Sequence, residues 1–133
     1  DAKRLADSVL DDDPTNTYAH GFLSVWHIEV RRRGGAIGAS IMGASVKKAR
    51  RHYEAAIALS PDDASVHWQY ARALTAFNAK KYRTEIDAAL NRALASRAET
   101  RLEQVMQARA RELQLVLQTE KRATAESLAA RML

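Results

Sequence analysis

His20, His27, His52 and His67 are the side chains best suited to acid–base or metal chemistry in this sequence. His20 and His27 are seven residues apart, so on a helix they share a face but stand two turns from one another. That separation is too wide for both to hold one ion without other ligands, and the His-Glu-x-x-His spacing of a helical zinc site does not occur. The chain contains no cysteine, which excludes thiolate ligands, cysteine nucleophiles and disulfides. Carboxylates gather at Asp11-Asp12-Asp13 and Asp62-Asp63, each run beside a proline and ahead of a helical stretch. Capping and the helix dipole account for both runs. General acid–base catalysis needs converging, desolvated carboxylates, and no such convergence is legible. No catalytic, cofactor-binding or metal-binding residue is therefore assigned, and a non-enzymatic role is expected.

The segment Gly34–Ser45 stands out by its glycines and by the absence of charge. Gly38-x4-Gly43 matches the glycine spacing of a phosphate-binding loop, but Ala44 occupies the place of the lysine and no strand precedes it. Two further readings remain. In one, Ile37, Ile41 and Met42 form an apolar lip that contacts a partner or a membrane surface. In the other, Ile41 and Met42 pack back onto the helices while the glycines permit turns. Basic residues flank the segment, Arg31–Arg33 before it and Lys47, Lys48, Arg50 and Arg51 after it. If a hairpin closes here, the two clusters approach one another and would attract phosphate or an acidic peptide. Interleaved aromatics for base stacking are missing, which disfavours nucleic acid. Charge runs of this kind also read as solvated helix faces.

Helices must position all of these groups. The 133 residues include only five glycines and two prolines, with 47% hydrophobic and 28% charged residues. That is a globular composition suited to helices and large enough for a core. A short helix is expected to end near Asp11, Pro14 marks a turn, and a long helix runs from Thr17 to about Arg33. Val46, Ala49, Tyr53, Ala56 and Ile57 form one apolar stripe, closed by Pro61. Asp62-Asp63 caps a helix carrying Val66, Tyr70, Ala71, Leu74 and Phe77, and Asn78–Lys81 is a turn. Tyr82, Ile86, Ala89, Leu90, Ala93 and Leu94 form the next stripe, and Ser96 with Glu99 fits a capping box. Leu102, Val105, Met106, Leu113, Val116 and Leu117 follow, with a break near Thr119 before Leu128, Ala129 and Met132. No stretch alternates long enough for a strand. The uncharged run between Arg33 and Lys47 is thirteen residues and that between Asp13 and Glu29, with its two neutral histidines, fifteen, both short of the roughly 20 that a spanning helix needs.

The pattern Ala49-x3-Tyr53, Ala56, Pro61 resembles the second helix of a tetratricopeptide repeat. The stretch from Ala64 resembles the first helix of that family, with His67 in its tryptophan slot, Tyr70-Ala71 in its Leu-Gly slot and Leu74 in its tyrosine slot. Ala2, Ala6 and Pro14 repeat the second-helix spacing. Pro14 and Pro61 are 47 residues apart, thirteen beyond the family's period of about 34, and an insertion at Gly34–Ser45 absorbs the excess. The register slips again before Ile86, and Ala98 occupies the proline slot of a degenerate last repeat.

The resemblance implies an all-α stack of antiparallel helical hairpins over residues 1–97, with capping helices at 98–133 in the same compact domain. It also implies a concave groove lined by His20, Leu23, His27, His67, Tyr70 and Leu74, some buried and some presented, that receives a peptide or partner helix. The net charge of +5 favours an acidic partner. The alternative function is binding of an anionic surface or nucleic acid by the Arg31–Arg33 and Lys47–Arg51 clusters. The apolar stripe after Glu99 serves either as a cap or in self-association. Asp1 in place of methionine leads us to expect an upstream segment, such as a cleaved signal peptide. Nothing selects a compartment.

Overall fold

The computed structural model describes residues 1–132, and among these no strand forms. Seven helices follow in order: α1 (Ala2–Asp12), α2 (Thr17–Met42), α3 (Val46–Leu59), α4 (Ala64–Asn78), α5 (Arg83–Ala95), α6 (Arg101–Thr119) and α7 (Arg122–Arg131). The chain divides into two compact units, Asp1–Pro61 and Asp62–Leu133. The division falls at the Pro61 turn, and α6 packs against both α4 and α5.

In the first unit, α2 packs against α1 on one side and α3 on the other. Ala6, Ala19 and Leu23 are buried together, with Val9 and Leu10 against them. Ala49, Tyr53 and Ala56 form the buried stripe of α3, at the spacing the sequence implies. Side-chain oxygens open these helices: Asp1 accepts from the Arg4 N–H, Asn16 from Ala19 and Ser45 from Lys48. Each satisfies a backbone donor that the first turn leaves unpaired.

The Gly-rich segment departs from the expected turns. It is helical to Met42, broken only at Gly35, whose φ of 64° and ψ of −169° are open to glycine alone. The break is a sharp change of direction. A straight helix would place Met42 about 22 Å from His27, and Gly43–Ser45 span only about 10 Å, yet the Ser45 N–H donates to His27 Nδ1 at 3.3 Å. An outgoing limb therefore runs to Gly34, and a return limb runs from Ala36 to Met42. Gly43, at φ 70°, ends the return limb in the left-handed conformation.

In the second unit, α4 packs against α5, α6 and α7, with α5 against α6 and α6 against α7. Asp63 caps α4 by accepting from the Ser65 and Val66 N–H groups. Trp68, Tyr70 and Leu74 on α4, Ile86 and Leu90 on α5 and Leu113 on α6 are fully buried. The capping box opens α6 from Thr100, whose hydroxyl accepts from the Glu103 N–H while Glu103 accepts from the Thr100 N–H. The Ser96–Glu99 pair does not form one. Ser96 ends α5 instead, its hydroxyl donating to the Arg92 carbonyl. The buried Gln107 side chain donates to the carbonyls of Ala93 and Ser96, satisfying groups that the end of α5 leaves open.

Candidate functional site

Two features of the first unit gather groups that could bind or titrate. The first is a histidine cluster between α2 and α3. His20 Nδ1 lies 3.0 Å from His52 Nδ1, and His20 Nε2 lies 2.8 Å from the Pro14 carbonyl. A carbonyl only accepts, so Nε2 of His20 carries the proton. In the neutral ring Nδ1 is then bare and accepts from His52 Nδ1–H. His27 stacks on His52 with ring centroids 5.7 Å apart, and its Nδ1 is bare because it accepts from Ser45. Trp26 meets His27 edge to face at 5.0 Å, and Lys3 Nζ sits 5.5 Å from the Trp26 ring.

Burial pushes the His27 imidazolium down to a pKa of about 4, helped by the positive charges of His52, Lys48 and Lys3, with Asp7 opposing. His52 is lowered for the same first reason, then by His20. The neutral forms of His27 and His52 are favoured, and through hydrogen bonds and stacking the cluster joins the α1–α2 turn, α2 and α3. Among the described residues no group of three or more His, Cys, Asp or Glu is placed to hold a metal ion.

The sequence shows His20 and His27 on one face but gives no sign that His52 joins them. The missing information is the helix pairing. Once Ser45 meets His27, moving seven residues back along α2 and seven forward along α3 brings His20 to His52. Seven residues are two turns on both helices, so the antiparallel register repeats.

The second feature is the α2 break. Ile37 and Ile41 are 79% and 80% exposed and Met42 is 54% exposed. The reading in which Ile41 and Met42 pack back onto the helices is therefore overturned: Ala39 and Ala44 are buried from this stretch instead. The two isoleucines are four residues apart on the return limb and share a face. Arg33, two residues before the Gly35 break, and Lys47, Lys48 and Arg51, in the first turns of α3, are exposed on either side of this spur. Lys48 Nζ donates to the Gly43 carbonyl at 3.1 Å, which ties the start of α3 to the end of the return limb. Glu29 holds Arg32 at 2.6 Å and Arg33 at 3.2 Å. From Glu29 to Glu54 there are seven basic and two acidic side chains, so this stretch alone carries the whole net charge of +5.

The six residues assigned to a groove lie three on α2 and three on α4, in separate units. Leu23, His27, His67, Tyr70 and Leu74 are each exposed by 3% or less. Only His20 is partly accessible. Tyr70 donates its hydroxyl to Glu85 at 2.8 Å.

No protein-family model matches the chain, and neither a curated protein nor a solved structure matches it. The class that the fold defines is an all-α protein of packed helical hairpins, and none of its described helices is long and apolar enough to cross a membrane.

Proposed function

We propose that this protein is a non-enzymatic interaction module, and that its partner meets the end of the first unit formed by Ile37, Ile41, Met42 and their basic rim. One observation supports the reading above all: aliphatic side chains about 80% exposed stand inside the stretch that carries all the net positive charge. Apolar groups clustered in water and rimmed by charge of one predominant sign suit a binding surface. A groove of the tetratricopeptide kind would need Leu23, His27, His67, Tyr70 and Leu74, which are already covered. The spur is therefore the contact surface of the interaction module.

The test uses the whole chain in cells, with a photo-crosslinking amino acid at Ile37 or, as control, at Leu115, which is 59% exposed on α6. An adduct of higher mass, protein or lipid, is expected at Ile37 and absent at Leu115. A chain that gives none at Ile37 removes the spur as a contact surface.

A further inference from the structure

We infer that the α2 spur docks on an anionic lipid bilayer, with Ile37, Ile41 and Met42 entering the interface and Arg33, Lys47, Lys48 and Arg51 meeting lipid phosphates. This rests on the spur being the binding surface. Three observations select a bilayer as the occupant.

The first is shape. Ile37 and Ile41, at 79% and 80% exposure, are barely touched by their own chain, so the surface is a convex knob. A protein partner would have to supply a preformed pocket around it, whereas the deformable headgroup and acyl boundary accepts a convex apolar tip anywhere. The second is depth. Ile37 and Ile41 stand one turn apart on one face of the short helix from Ala36 to Met42, so a helix lying along the interface brings both in shallowly. Long basic side chains on either side can then stretch to phosphate level.

The third is charge. The stretch from Glu29 to Glu54 holds all of the net +5 and has no aromatic residue before Tyr53. It complements an acidic leaflet but gives no platform for stacking nucleic-acid bases. With no described helix able to span a membrane, the attachment is peripheral, reversible and salt-sensitive.

The full chain is mixed with vesicles of phosphatidylcholine alone or with one-third phosphatidylserine, and partitioning is measured by co-sedimentation. Binding is expected to the serine-containing vesicles only, falling about tenfold between low and physiological salt through screening. Ile37→Asp with Ile41→Asp should lower partitioning at least about tenfold while the circular dichroism spectrum stays helical. Leu115→Asp should leave partitioning unchanged.

Failure to bind the serine-containing vesicles overturns the bilayer, as does binding that survives the double aspartate variant. Tighter binding to single-stranded RNA than to vesicles, undisturbed by that variant, does so too. If vesicles fail but the Ile37 crosslink lands on a protein, the bilayer falls and the interaction module stands. If no Ile37 adduct forms at all, both fall.

Discussion

Burial between α2 and α3 disfavours the charged forms of His27 and His52, and that makes the first unit sensitive to acid. His27 has a pKa of about 4 when folded, against an ordinary value of 6.5. As pH falls, the unfolded chain therefore takes up a proton before the folded one does. The stability contribution is fully present above about 6.5, is lost progressively toward 4, and changes no further below that. Burial disfavours the His27 imidazolium most, followed by the charges of His52, Lys48 and Lys3, with Asp7 opposing. A loss on the order of 2 kcal/mol is expected across that window, read as a falling urea midpoint. His27→Asn, whose side-chain oxygen stands near the place of Nδ1, should keep an acceptor for Ser45 and flatten this dependence. A wild-type midpoint that does not move between pH 6.5 and 4.5 would count against the arrangement. None of this was legible from four scattered histidines, because titration depends on burial and neighbours.

The element that departs most from its sequence is α2. Glycine weakens helices, so the run from Gly34 read as turns, yet only Gly35 leaves helical geometry and Gly43 ends the limb. Gly35→Ala should cost about 1–3 kcal/mol, since a side chain is strained at that φ and ψ. Gly38→Ala lies within the return limb with nothing within 4 Å of an added Cβ, and should stabilise by up to about 1 kcal/mol. Chemical denaturation of the two variants separates the roles, and equal effects would mean the break does not depend on Gly35. The α6 cap teaches a related lesson. Ser96-Arg-Ala-Glu99 and Thr100-Arg-Leu-Glu103 both satisfy the capping-box pattern. Ser96 is taken up at the end of α5, where Gln107 covers its carbonyl, so the box falls to Thr100. Local patterns proposed both sites, and packing chose between them.

Over the whole molecule, the two units carry similar net charge, +2 for Asp1–Pro61 and +3 for Asp62–Leu133, while the Glu29–Glu54 stretch within the first carries +5. Reversing Lys47, Lys48 and Arg51 to Glu, or Arg101, Arg111 and Lys121 to Glu, changes the net charge equally. All six side chains are exposed. If the Glu29–Glu54 stretch forms the working field, the first variant should elute from a cation exchanger at clearly lower salt than the second, because binding follows the local potential. Equal elution would mean that the charge acts only as a total. Within the unit Asp62–Leu133, α6 packs against α4, α5 and α7, pairings that repeat spacing does not carry. Periodicity marks where helices are, but the partners of α6 are settled by contacts far apart in sequence.

Composition and periodicity alone determined that this chain is all helix, where most of the helices lie, and which alanine and aromatic stripes are buried. Those are short-range properties, set by the 3.6-residue turn and by a few capping and breaking residues. Tertiary structure decided the union of His20 and His52, the outward set of Ile37 and Ile41 and the covering of five groove residues. Each depends on the direction a helix takes after one backbone angle and on the register of its neighbour, information that no local stretch of residues carries.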